Sequence, residues 1–98
     1  MNWINIKDSQ PPYDKPVLLL YMKNKEVVMT QGKLIDSAIK CSRASHPVEF
    51  WRSHGYGDRY LDYAGRLIQD TQSKNSKNKV IFWRTLIELP KTIHYAKI

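Results

Sequence analysis

Six consecutive apolar residues, Val17-Leu18-Leu19-Leu20-Tyr21-Met22, follow a segment that holds Pro11, Pro12 and Pro16. The run is too short for a bilayer-spanning helix, which needs about 20 apolar residues. Side chains on a strand alternate between its faces, so a run that is apolar at every position predicts a central strand covered on both sides. The prolines before it fix φ and remove ladder donors, which excludes helix and central strand there and makes 8–16 a rigid connection. Lys23-Asn24-Lys25 is a polar turn, and Glu26-Val27-Val28-Met29-Thr30-Gln31 reads as the returning arm of a hairpin. Gly32 permits a bend or bulge before Lys33-Leu34-Ile35.

Flanking segments extend the sheet. Trp3-Ile4-Asn5-Ile6 reads as a short edge strand, Val48-Glu49-Phe50-Trp51-Arg52 as another short strand, and Val80-Ile81-Phe82-Trp83-Arg84 as the last. Residues 36–45 fit either two turns of helix or a third strand. Asp58 to Thr71 reads as a helix: Asp58 suits an N-cap, and Tyr60, Leu61, Ala64, Leu67 and Ile68 form one apolar stripe. Asp62 and Arg66 would pair on its outer face. The expected architecture is α+β in one domain spanning 1–98: a small antiparallel sheet of four to five strands with one packed helix at about 58–71, or the same sheet as a partly closed barrel. Residues 73–79 read as a mobile basic loop and 92–98 as a C-terminal tail.

A chain of 98 residues with 42% hydrophobic residues, three Trp and six Tyr can build a core. A lone cysteine, Cys41, and no basic-then-apolar leader pattern predict a reduced, cytoplasmic protein with no membrane partner. The formal charge is +7, and residues 73–98 carry six Lys or Arg against one acidic residue. This excess predicts either an anionic partner or simple solubility.

No pattern of catalytic or cofactor-binding residues is present, so the chain is expected to be non-enzymatic and without cofactor. Cys41, His46, His54 and Asp58 are spaced unlike any compact zinc set, and no metal is expected. A Cys41 nucleophile with His46 or His54 lacks a local signature. Gly55-Tyr56-Gly57 is a weak phosphate-cradle pattern, and Asp58 beside it would repel an anion, so the segment reads as a loop presenting Tyr56. The best candidate surface mixes aromatic and basic side chains: Trp51, Arg52, His54, Tyr56, Arg59 and Tyr60, with Trp83 and Arg84 adjacent. Trp83, in the most strand-like run, reads as core. Candidate binding residues are Arg52, His54, Tyr56, Arg59, Lys74, Lys77, Lys79 and Arg84.

The order of these elements resembles a family of short phage and prophage proteins, domain of unknown function 551. Trp3-Ile4 opens the chain, followed by the Pro-rich loop, Val17-Leu18-Leu19-Leu20-Tyr21, Val27-Val28 and Gly32, and later Val80-x-x-Trp83 closing in Leu89-Pro90. The resemblance covers 3–34 and 80–91. Arg84-Thr85-Leu86 stands where the family prefers Met-Pro-Leu, and the segment from Asp36 to Lys79 is longer than usual. The resemblance implies a mobile-element origin and a small, mainly β protein of the host cytoplasm. Together these readings point to a phage accessory protein that binds and modulates a host macromolecule, such as a defence or transcription component. The alternatives are a nucleic-acid-binding protein using its basic and aromatic surface, and a small-ligand domain with a pocket between helix and sheet. Oligomeric state is left open.

Overall fold

The computed structural model describes residues 2–86. The elements in chain order are β1 (Ile4–Asn5), β2 (Val17–Lys23), β3 (Glu26–Asp36), α1 (Ser37–Cys41), α2 (Val48–Ser53), β4 (Asp58–Asp62), β5 (Leu67–Asp70) and β6 (Asn78–Thr85). All six strands join one antiparallel sheet in the order β1-β6-β2-β3-β4-β5. The fold is therefore α+β with a small antiparallel sheet, with six strands among the described residues rather than four or five. It is not a barrel, because β1 and β5 remain its two edges.

The apolar run takes the central place expected of it, with β3 on one side of β2 and β6 on the other. Lys23 pairs with Glu26, so the hairpin turns on Asn24 and Lys25, and Asn24 supplies the left-handed φ of 58° that asparagine tolerates. β3 is long enough to serve two neighbours. Its first part pairs with β2 and its last part with β4, and Gly32 is opposite both Val17 and Asp62. No bulge interrupts β3 at Gly32. The glycine is instead needed for close approach, since a Cβ there would collide with the Leu61 carbonyl and lie 2.7 Å from Leu19 Cδ1.

The inner face of the sheet holds the core: Val17, Leu19, Leu34, Tyr60, Ile68, Val80 and Trp83, with Ile4, Ile6 and Tyr21 packed against it. Trp83 is buried as expected, and its indole Nε1 donates to the Ser9 carbonyl at 2.8 Å. Burying each large apolar side chain contributes about 1.5–3 kcal/mol. The sheet coils until β5 lies against β6, where Gln69 Oε1 accepts from Val80 N at 2.8 Å. The same stretch of β6 carries an irregularity: Leu20 pairs with Phe82 and Tyr21 with Val80, which leaves Ile81 as the extra residue. The Ile81 carbonyl accepts from Ile6 N at 3.0 Å, so the Val80 N–H and the Ile81 carbonyl beside the bulge both find partners outside β2.

Two sequence expectations are overturned. Residues 58–71 form a hairpin, not a helix. Asp62 begins the reversal: its carboxylate accepts from Ala64 N and Arg66 N, its own N–H donates to the Arg66 carbonyl, and Gly65 sits at φ 79°. Such an Asx turn competes directly with helix. Asp62 and Arg66 thus meet through the Arg66 backbone across a turn rather than through paired side chains on a helix face. The second correction concerns 48–52, expected as a strand and found as the helix α2. Pro47 in an extended conformation starts it, Glu49 lies in its first turn and Arg52 in its last, as the helix dipole favours. The ambiguous stretch after Asp36 contains the short helix α1. The connection from β5 to β6 ends earlier than expected, since Asn78 and Lys79 already belong to β6. The tail at 92–98 and the Leu89-Pro90 stop lie outside the described residues.

Candidate functional site

The two helices form an excursion between β3 and β4. Asp36, the last residue of β3, caps α1 by accepting from Ala38 N at 3.1 Å and Ile39 N at 3.4 Å. Ser37 then closes the excursion against its far end: its N–H donates to the Gly57 carbonyl at 2.9 Å, and its hydroxyl accepts from Gly57 N at 3.0 Å. Gly57 N is thereby engaged, and a strand rather than a helix follows, so the Gly55–Gly57 segment has no phosphate-cradle geometry.

On α2 no residue is fully buried, and its aromatics pack on one another outside the sheet. Phe50 lies between His46 at 4.4 Å and His54 at 4.3 Å, and edge-on to Trp51 at 5.2 Å between ring centroids. Trp51 meets Tyr56 edge-on at 5.0 Å and donates its indole N–H to the His46 carbonyl at 3.0 Å. The Arg59 guanidinium covers the Tyr56 ring at 4.7 Å. Tyr56 is consequently half-buried rather than displayed on an open loop.

The two arginines of this cluster are spoken for. Arg52 donates to both oxygens of Asp36, at 2.7 and 3.4 Å. That fork holds the Asp36 carboxyl below the usual carboxylate range against the opposing effect of burial, and raises Arg52 in turn. Arg59 Nε lies 3.4 Å from Asp70 Oδ2, an ion-pair distance without hydrogen-bond geometry.

Beside the ridge is a polar cleft of about 350 Å³ lined by Tyr13, Asp36, Arg52, Tyr56, Asp58 and Gln72. Tyr13 reaches it from the Pro-rich loop, which pairs in a single parallel bridge with Leu34 and turns at Asp14, φ 62°. The phenol donates to Asp58 Oδ1 at 2.7 Å, and this bond raises Tyr13 above the ordinary phenol range. Asp36, held ionised by Arg52, offers an acceptor rather than a proton.

The structure brings together Trp51, Arg52, His54, Tyr56 and Arg59, and separates the other expected site residues from them. Tyr60 is core, and its phenol is raised well above the ordinary range by burial. Trp83 is core. Arg84 lies on β6 with its guanidinium over the Trp3 ring at 5.3 Å. Lys74, Lys77 and Lys79 are exposed around the β5–β6 connection, with no ion pair joining them to α2 among the described residues. Cys41, His46, His54 and Asp58 do not converge: no group of three or more potential metal ligands occurs among the described residues. Phe50-Trp51-Arg52 and Phe82-Trp83-Arg84 share a sequence but not a structure, since one lies on a helix and the other on a strand. Sequence reasoning missed Tyr13, Asp36 and Gln72, which reach the cleft only through tertiary contacts.

No protein-family model, curated protein or solved structure matches this chain. No helix among the described residues is long and apolar enough to cross a membrane.

Proposed function

We propose that this chain is a non-enzymatic binding module that docks a protein through the α2 ridge, acting as a phage accessory protein on a host macromolecule such as a defence or transcription component. The observation that carries the reading is the linked set His46, Phe50, Trp51, His54 and Tyr56, packed on a helix with no fully buried residue. Aromatic side chains bring large contact area at small entropic cost, and they dominate protein interfaces when a ring of surrounding contacts excludes water. Arg52 and Arg59, fixed by carboxylates, supply such a ring. The mobile-element origin rests on the resemblance of 3–34 and 80–91 to the phage family.

A nucleic-acid reading draws on a different observation: Lys74, Lys77 and Lys79 are exposed and without ion pairs among the described residues. Arg52 and Arg59 do not strengthen it, because each already faces an aspartate. The small-ligand reading loses its frame, since the helix expected over 58–71 is a hairpin.

The test is quantitative pull-down from bacterial lysate with the full chain, Phe50→Ala and an unrelated basic control. Enrichment of a protein over the control, lost in Phe50→Ala, supports the ridge. Enrichment equal in the variant overturns it. Fluorescent single- and double-stranded oligonucleotides titrated at two salt concentrations decide the second reading, since phosphate binding weakens steeply as salt rises.

A further inference from the structure

The face of the sheet opposite the core is apolar as well. Val17 and Leu19 point inward and are fully buried, so Leu18, Leu20 and Met22 point outward. Register sets Leu20 between Met29 and Phe82, and Met22 beside Val27. Val27 and Met29 are 61% and 60% exposed. β4 and β5 cover the inner face, and both described helices belong to the β3–β4 excursion. The sequence requires a cover on both sides of β2, and a contiguous apolar sheet face on a folded chain marks an interaction surface.

Charge indicates the cover. Lys79 is opposite Met22 and Arg84 opposite Leu18, on this same face. None of its positions on β2, β6 or the first part of β3 is Asp or Glu. Arg84 Nε is out of contact with water and without a hydrogen-bond partner among the described residues, its guanidinium lying over Trp3. A second copy would bring two faces of the same positive sign together. A nucleic acid would find a surface that is chiefly aliphatic, where bases need aromatic rings to stack on.

We propose that the outer face of β6-β2-β3 binds an acidic amphipathic helix of a partner protein, its apolar stripe lying over Leu20, Met29 and Phe82 and its flanking carboxylates meeting Arg84 and Lys79. The surface is distinct from the α2 ridge, and the proposal does not depend on that ridge's function. Helices pack on sheets through one apolar stripe, and carboxylates on its borders complement the positive charge of Arg84 and Lys79.

The probe is a fluorescein-labelled synthetic peptide of about 18 residues, long enough for helix, with Leu at helical spacing and Glu on the borders. A second peptide carries Lys in place of Glu. Anisotropy with the full chain should show binding of the acidic peptide only, weakened by salt. Met29→Asp and Arg84→Glu should each reduce affinity about tenfold or more, and Phe50→Ala on α2 should leave it unchanged. Met29 is exposed enough for the variant to fold, which near-ultraviolet circular dichroism checks; Val27→Asp serves as the second variant. Several results would overturn the proposal. These are no binding at about 100 μM, equal binding of both peptides, or sedimentation of a dimer that Met29→Asp dissolves. Binding of an oligonucleotide or of anionic phosphatidylserine vesicles, lost in Met29→Asp while the peptide stays unbound, does the same. So do lysine cross-links from Lys91 or Lys97 to Lys79 in the free protein, which would give the face to the chain's own segment.

Discussion

Asp36 and Asp58 stand directly opposite one another at the end of the β3–β4 ladder, two carboxylates in register on the same face. Like charges so placed destabilise a sheet. Each has a separate donor: Arg52 holds Asp36 at 2.7 Å and the Tyr13 hydroxyl holds Asp58 at 2.7 Å. The donors come from α2 and the Pro-rich loop, so the charge pair ties both segments to the sheet.

Asp36 has two tasks, capping α1 and pairing with Arg52, and substitutions separate them. Asn caps as well as Asp, so Asp36→Asn removes mainly the pairing, whereas Asp36→Ala removes both and should cost about 1 kcal/mol more through the lost cap. The folded state lowers the Asp36 pKa, so its contribution is present above the unfolded carboxylate range and is lost as pH falls through the folded value. Urea unfolding between neutral pH and pH 3 should show wild-type stability declining in acid more steeply than that of Asp36→Asn.

Tyr13 gives the opposite sign. Its folded pKa is raised, so the Tyr13–Asp58 bond persists below the ordinary phenol value of 10.0 and is lost as pH rises through the folded one. A difference titration of phenolate absorbance, wild type minus Tyr13→Phe, should place this residue's ionisation above 10.0. A difference centred below it would remove the bond. Tyr60, buried among the core residues, should ionise only with alkaline unfolding.

Gly32 should not accept a methyl group. In Gly32→Ala the added Cβ meets the backbone carbonyl of Leu61, which cannot rotate away, and a core side chain on Leu19. The loss should be about 1–3 kcal/mol or more, read from the shift in urea midpoint at unchanged slope.

Gln69→Ala should loosen the coil of the sheet. It removes the acceptor of Val80 N and leaves that amide unpaired beside the core, at a cost of about 1–3 kcal/mol. Hydrogen exchange at Val80 should accelerate in the variant more than at Leu19, whose ladder it leaves intact.

The parts of this fold that could be read from sequence are those where one periodicity permits one structure. Val17–Met22 is too short and too β-branched or large at its ends to be anything but strand, and the 23–25 turn fixes its partner. The 58–71 stripe reads as a helix, yet a hairpin uses the same residues differently, pairing Leu61 with Leu67 and turning Tyr60 and Ile68 into the core. Asp62 and Gly65 were the signals, an Asx donor-acceptor and a left-handed residue three apart, and the apolar spacing outweighed them. α2 was hidden by aromatics that favour strands when a sheet neighbour is available; here none is, and Pro47 starts a helix instead. Within the candidate site, Arg52, His54, Tyr56 and Arg59 lie close in sequence and could be grouped. Tyr13 with Asp58 and Asp36 with Arg52 are joined only by the folded chain.

β6 is inserted between β1 and β2, and among the described residues β1 pairs with no other strand. β1 therefore waits for β6, which leaves the ribosome about 70 residues later, and Trp83 must arrive before the Ser9 carbonyl gains its donor. During synthesis the growing chain can close the β2–β3 and β4–β5 hairpins by local contacts, while one side of β2 stays unpaired. Translation that stalls or stops before Asn78 releases a chain with that apolar edge open, a template for aggregation and a substrate for quality-control proteases.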